Sequence, residues 1–555
     1  MDNNIKKLLF AFSGIIMLLT SCKKDLEEYN PSGLTGATVY NKAAGFDALV
    51  NAAYSFSRFW YGKEEGYSLS EMGTDIWTNG TGDVFPQLST YNNLQGSNTA
   101  ALTLEWNNFY AAINLCNTGI KAVNAVEDYT PAQKALREAE LRFLRAFYYW
   151  HIVETWGGVH FTLEPTEGAI TTANKTPVDT FYNHIFLDLQ FAVANLPTSA
   201  PSDYGRVWQP VAKAFLARMY LTRGKNTEAI AMANDVIANY GYSLQPKYAD
   251  LWNMGNLKNK EIVWAIDYST ILTNNDLATS TFPGHSRGSN NGHLMFLMVY
   301  DQVQTAILLR DINNGRPFNR YMPTKALLDM YDASIDSRYD GSFQTVWYAN
   351  KAGTVGGNPF VIGDTAAWTP KTTLDPAFIT SRKYTIYDIP KVFNTTTNVP
   401  IQRKFYVSLK KFKDSTRTSA AEAQSARDAF VIRLSEMHLI AAEAEFKNGK
   451  SDSAAYYINI VRSRAALPGH VADMQITPAQ VTLDFILDER AREFAGEQLR
   501  WFDLKRTGKL IDRINTYNPD AAGFIKPFHL VRPIPQGQLD AVSNKDEFKQ
   551  NDGYL

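Results

Sequence analysis

The stretch MGTDIWTNGTGDVFPQLSTYNN, residues 72–93, sets three aromatic rings among carboxylates and amides. Trp77, Phe85 and Tyr91 offer apolar faces. Asp75, Asn79, Asp83, Asn92 and Asn93 offer hydrogen-bonding groups. A sugar ring needs both kinds of partner. An aromatic side chain can cover its C–H-rich face, and amides and carboxylates can bond its hydroxyls. A second stretch of this composition is TFPGHSRGSNNGHLMF, residues 281–296, with Phe282, His285, Arg287 and Asn290. The residues expected to contact a ligand are therefore Asp75, Trp77, Asn79, Phe85, Tyr91, Phe282, Arg287 and Asn290. The competing reading is that each aromatic packs beneath its own loop.

Signals for catalysis are few. There is no H-E-x-x-H and no glycine-rich phosphate loop, and G-x-S-x-G occurs once, as Gly284-His285-Ser286-Arg287-Gly288. The eight histidines are scattered without metal-ligand spacing, so neither a metal nor another cofactor is expected. Glu71 and Asp75 form the one carboxylate pair kept as a glycosidase alternative. Such a pair needs a separation of roughly 5–10 Å and one raised pKa. The net charge is −1 and there is no basic patch, which argues against nucleic acid as a partner.

Cys22 is one of only two cysteines, and it closes a greasy run. MDNNIKK is polar and basic, LLFAFSGIIMLL is apolar, and Thr20 and Ser21 are small. This is the layout of a secretory signal peptide. As a helix the apolar run spans roughly 18 Å, short of the ~30 Å that a bilayer core requires. Leu19-Thr20-Ser21-Cys22 resembles the lipobox of bacterial lipoproteins, in which the cysteine thiol receives a diacylglyceryl group. Several acyl chains make a stable anchor. Cys116 sits in a helical pattern and reads as a small buried residue. No disulfide framework follows, so a large core must hold the fold.

Helical periodicity dominates the chain. Thr130-Pro131 with Gln133, Thr176-Pro177 with Asp179, and Thr477-Pro478 with Gln480 each read as a helix start: a hydroxyl cap, a proline at N1 and an N3 acceptor. Ala217-Gly224-Ala229 and Ala442-Gly449-Ala454 share one spacing, which resembles tetratricopeptide hairpins. Their distance in sequence suggests scattered repeats rather than a continuous solenoid. Residues 267–428 are rich in Thr, Asn, Gly and Pro, with short strand-like runs in GSFQTVWYAN and RKFYVSLKKF, and with NKAGTVGGNP as a loop. The expected division is a signal peptide (1–21), a lipidated tether (22–40), a helical region (41–266), an irregular insert carrying short strands (267–428) and a second helical region (429–555). The fold class is mainly α.

Five stretches together carry a family resemblance: LRFLRAFYYWHIVETWGGVHF (141–161), RLSEMHLIAAEAEFKNG (433–449), YYINIVRSRAALPG (456–469), ILDERAREFAGEQLRWFDLKRTGKL (486–510) and VRPIPQGQLDAV (531–542). They resemble the SusD/RagB family of surface lipoproteins. His160 and Asp552 stand where that family usually has prolines. The resemblance implies a SusD-like scaffold and a non-catalytic protein, lipid-anchored in the outer membrane and facing the medium. It would capture oligosaccharide for a SusC-like TonB-dependent transporter, with peptide capture as the alternative. It places part of the ligand site after the first helix, near residues 72–93. Asp25, Glu27 and Glu28 resemble the family's surface-export signal, with Lys23 and Lys24 intervening. Read as a helix, LDERAREF exposes Glu489, Arg490, Arg492 and Glu493 as a solvated, salt-bridged face. Phe485, Phe494, Leu504, Trp501 and Phe502 are expected to pack inward. The RFLRAFYYWHI stripe reads as core, and His151 as a satisfied, partly buried histidine.

Overall fold

The computed structural model describes residues 39–271 and 290–555. Cys22, Phe282, His285 and Arg287 lie outside the described residues. Helices dominate: α1 (Ala43–Ser55), α2 (Glu64–Ser70), α3 (Ala100–Ala122), α4 (Pro131–Trp156), α5 (Val178–Asn195), α6 (Gln209–Thr222), α7 (Asn226–Asn239), α8 (Leu434–Lys447), α9 (Ser451–Ala465), α10 (Leu483–Phe494), α11 (Arg500–Arg506) and α12 (Leu510–Tyr517).

The start of α4 is the one the sequence announces. Gln133 N–H donates to Thr130 Oγ1 at 3.3 Å, and Thr130 N–H donates to Gln133 Oε1 at 2.9 Å. The other two starts differ from expectation. Thr477 and Gln480 do form a capping box, but it opens only the 3₁₀ turn Pro478–Gln480. Thr482 caps α10 instead, accepting from Phe485 N–H at 3.0 Å. Thr176 gives its hydroxyl to Asn174 and its N–H to the carbonyl of Val159. That leaves Pro177 as the residue before α5.

Gly224 and Gly449 turn the α6/α7 and α8/α9 hairpins at φ of 70° and 76°. Ala217, Ala229, Ala442 and Ala454 are all fully buried where the helices meet. The two hairpins are not scattered in space. Helix α7 packs on α8, so α3 to α9 form one continuous stack despite the long sequence between α7 and α8. The intervening chain loops out and returns. It leaves after β2 (Ile262–Ile266) and rejoins at the strand Ala429–Arg433, which pairs antiparallel with β2 from Ala429–Ile266 to Arg433–Ile262.

The insert holds short ribbons and a core of its own. Strand β3 (Tyr321–Pro323) pairs antiparallel with β1 (Trp77–Asn79). Within GSFQTVWYAN, Phe343–Gln344 and Val346–Tyr348 are strands, and Ser408–Leu409 is one in RKFYVSLKKF. The expected loop NKAGTVGGNP is a hairpin: Gly353–Val355 pairs with Asn358–Phe360 across Gly356 and Gly357, both at positive φ.

The RFLRAFYYWHI stripe is core, as are Phe494, Trp501, Phe502 and Leu504, while Phe485 is partly buried. His151 is fully enclosed. Burial pushes its imidazole down to about 3, and its Nδ1 bonds the Phe147 carbonyl. The expected solvated face of α10 is the largest departure. Glu489 and Glu493 are wholly buried, and Arg490 and Arg492 nearly so. Glu489 pairs with Arg338 at 2.7 Å, Arg492 at 2.8 Å and Arg462 at 2.9 Å. Glu493 pairs with Arg338, Arg433 and Arg464. Arg433 and Arg464 also hold Glu261, at 2.6 and 2.7 Å. Burial opposes ionisation of both glutamates, but the surrounding guanidinia overrule it and hold their carboxyls far below the usual range.

Candidate functional site

The first candidate segment turns out to be a structural tie. Asp75 is fully buried between Arg500 and Arg513, at 2.5 and 2.7 Å. Trp77 is 0% exposed and packs edge-on to Phe296 in the core of the insert. An indole with no exposed face cannot stack on a sugar, so Trp77 and Asp75 are corrected here to scaffold. Tyr91 is 2% exposed, lies 5.0 Å from the His529 ring, and has Arg532 over its own ring. Phe85 is half-buried against the main core. Asn79 Oδ1 accepts from Arg403 at 3.0 Å. Asn290 is buried, with its Nδ2 donating to the Arg427 carbonyl and its Oδ1 accepting from Gly292 N–H.

The carboxylate pair is closed in the same way. Glu71 is fully enclosed, and its Oε1 accepts Leu499 N–H at 3.1 Å. Burial pushes it up to about 8, against that backbone donation. Neither Glu71 nor Asp75 reaches a surface where a glycosidic bond could lie.

Gly80–Gly82 of the first segment and Asn290–Asn291, where the described part of the second begins, lie on two sides of the turn that links α1 to α2. On one side Gly80 N–H donates to the Arg320 carbonyl, and Arg320 pairs with Glu64 at 2.5 Å. Gly82 and Thr81 bond Asn319. On the other side Asn291 N–H donates to the Gly62 carbonyl at 2.6 Å. Gly62 has φ +78°, and a Cβ there would meet the Asn290 amide at 2.7 Å.

A groove of about 290 Å³ opens beside this turn, where β2 ends and residues 267–271 lead away. Sequence reasoning missed it, because its residues come from three distant stretches. Arg58 donates to the Asp267 carbonyl at 2.7 Å and lies over the Tyr268 ring. Arg206 is fixed by Glu140 at 2.9 Å, by Asp203 at 3.1 Å and by Asn51, with its guanidinium over Tyr54. The ring of Tyr204 lies under Lys258. Asp267 also faces Asp428. Burial first, and the Asp267 carboxylate after it, push Asp428 up against the Tyr268 N–H it accepts. The groove thus offers guanidinium donors held in place, tyrosine rings and a carboxylate. That set can bond several hydroxyls at fixed angles. The only signal in the sequence was the turn-rich chain after β2.

The described residues thus form a helical stack with a looped-out, ribbon-bearing insert, and a polar groove lies where the chain leaves β2. Residues 260–554 match the profile described as SusD family, and residues 46–221 match one described as starch-binding associating with outer membrane; the chain belongs to the SusD/RagB family of outer-membrane nutrient-uptake proteins. It is 24% identical to SusD-like protein P25 of Formosa agariphila over 96% of both chains. In fold it is similar to a laminarin binding SusD-like protein, with TM-score 0.71, 23% identity, and coverage of 92% of this chain and 100% of that one. It is also similar in fold to surface glycan-binding protein A of Bacteroides thetaiotaomicron in complex with laminarihexaose, with TM-score 0.67, 21% identity, and coverage of 92% and 99%.

Proposed function

We propose that this chain captures oligosaccharide at the cell surface and delivers it to a SusC-like TonB-dependent transporter. A lipid on Cys22 anchors it in the outer membrane. The observation that carries the reading is the groove beside the α1–α2 turn, where Arg58, Arg206, Tyr54 and Asp267 offer donors, rings and an acceptor together. The glycan-binding proteins that share its fold support the same class of ligand.

Titration of the purified protein against panels of oligosaccharides and of short peptides tests this. Glycan binding is expected, weakened about tenfold by Arg58→Ala through loss of a charge-assisted hydrogen bond. Binding of peptides alone would assign peptide capture instead. Entry of labelled palmitate into the wild type but not Cys22→Ala is the outcome expected of the anchor.

A further inference from the structure

A groove of about 610 Å³ opens between the insert and the end of α12, within the ~300–1,000 Å³ typical of small-ligand sites. Tyr517, the last residue of α12, lines it and is 38% exposed. Arg513, one turn earlier, lies 4.9 Å from the centre of that ring. Its guanidinium is itself pinned by Asp75 at 2.7 Å, by Asp484 at 3.1 Å and by Asp488. The tyrosine ring is therefore braced by a fixed cation and presented to the groove.

Unused amides surround it. Asn515 spends its Oδ1 on Gly523 N–H at 2.9 Å and keeps its NH₂. The Asn398 side chain and the Tyr517 hydroxyl make no hydrogen bond among the described residues, and Asn398, from the insert, also lines the groove. The carboxylates that line the groove are already matched, Asp329 by Lys325 at 2.5 Å and Asp488 by Arg513. No lysine or arginine lines it among the described residues.

We propose that this groove is a second oligosaccharide subsite, selective for neutral sugars. The proposal rests on the glycan-binding reading above. A ring stacks on Tyr517, and its hydroxyls bond Asn515 and Asn398. With both carboxylates matched and no lysine or arginine lining the groove among the described residues, nothing in it rewards the charge of a uronate or sulfated sugar.

The test is calorimetric titration of the full chain with neutral hexasaccharides, laminarihexaose, cellohexaose and maltohexaose, and with oligogalacturonate. The wild type is expected to bind a neutral hexasaccharide at two sites. Tyr517→Ala is expected to weaken one of them tenfold or more, with an unchanged melting temperature. Asn515→Ala, which keeps the ring, should weaken the same site less. A wild type that binds a hexasaccharide at one site, untouched by Tyr517→Ala, overturns the subsite and leaves the glycan reading standing. No binding of any glycan overturns both. Oligogalacturonate binding that Tyr517→Ala removes overturns the selectivity.

Discussion

Trp77 and Glu71 sit six residues apart, and both were candidates for ligand chemistry. Their surroundings give them other work. Trp77 fills the junction between β1 and the insert core, so Trp77→Ala should cost about 3–5 kcal/mol of stability and leave binding by the folded fraction unchanged. Denaturant melts and a titration of the same variant check both halves. Glu71 is enclosed without a cation of its own, and burial raises it from 4.5 to about 8. Its folded value lies above its unfolded one, so its contribution is fully present below pH 4.5 and is lost as pH rises through 8. A neutral isostere escapes that loss. The melting temperature of Glu71→Gln relative to wild type should therefore climb between pH 5 and pH 8.5. A flat difference across that range would show that the carboxyl is not held neutral. What hid these roles is general. An aromatic among amides reads the same whether its loop faces water or a second core, and only the chain packed over it decides.

Elements were more legible than residues, because the signals that start and stop a helix are local. Gly449 marks the turn of the α8/α9 hairpin, and nothing lies within 4 Å of the Cβ that an alanine would add there. Gly449→Ala should therefore lose only the backbone preference for φ of 76°, about 1–2 kcal/mol, read as a shift in denaturant midpoint. The same locality explains the misses. Gly356-Gly357 between β-formers was a hairpin signal that lost to the polar composition around it. The face of α10 was misread because its polarity does obey the period of a solvated helix. The arginines that cover it, Arg338 and Arg433, are 151 residues before Glu489 and 60 before Glu493. No window on the sequence brings them together. The candidate groove was illegible for the same reason, drawing on residues near 54–58, 203–206 and 267.

Across the whole molecule, buried charge joins the three regions. Arg338 belongs to the insert, Glu489 and Glu493 to α10, and Glu261 precedes β2 on the N-terminal side. Asp75 reaches from the N-terminal region to Arg500 and Arg513, and Arg403 of the insert holds Asp520 at 2.7 Å. Ion pairs in such places contribute little net stability against apolar residues of the same shape, but removing one partner strands the other in a low-dielectric interior. Arg338→Met should therefore cost about 3–5 kcal/mol, because Asp336, Glu489 and Glu493 all face the lost guanidinium. Glu489→Gln alone should also destabilise, since Arg462 and Arg492 lose part of their match. Made together, the two changes remove a positive and a negative charge from one cluster. The double variant should then fall short of the summed losses by about 0.5–3 kcal/mol. Urea melts of the four proteins supply the cycle. Strict additivity would mean that Arg338 and Glu489 act independently, and that this pair does not tie the insert to α10.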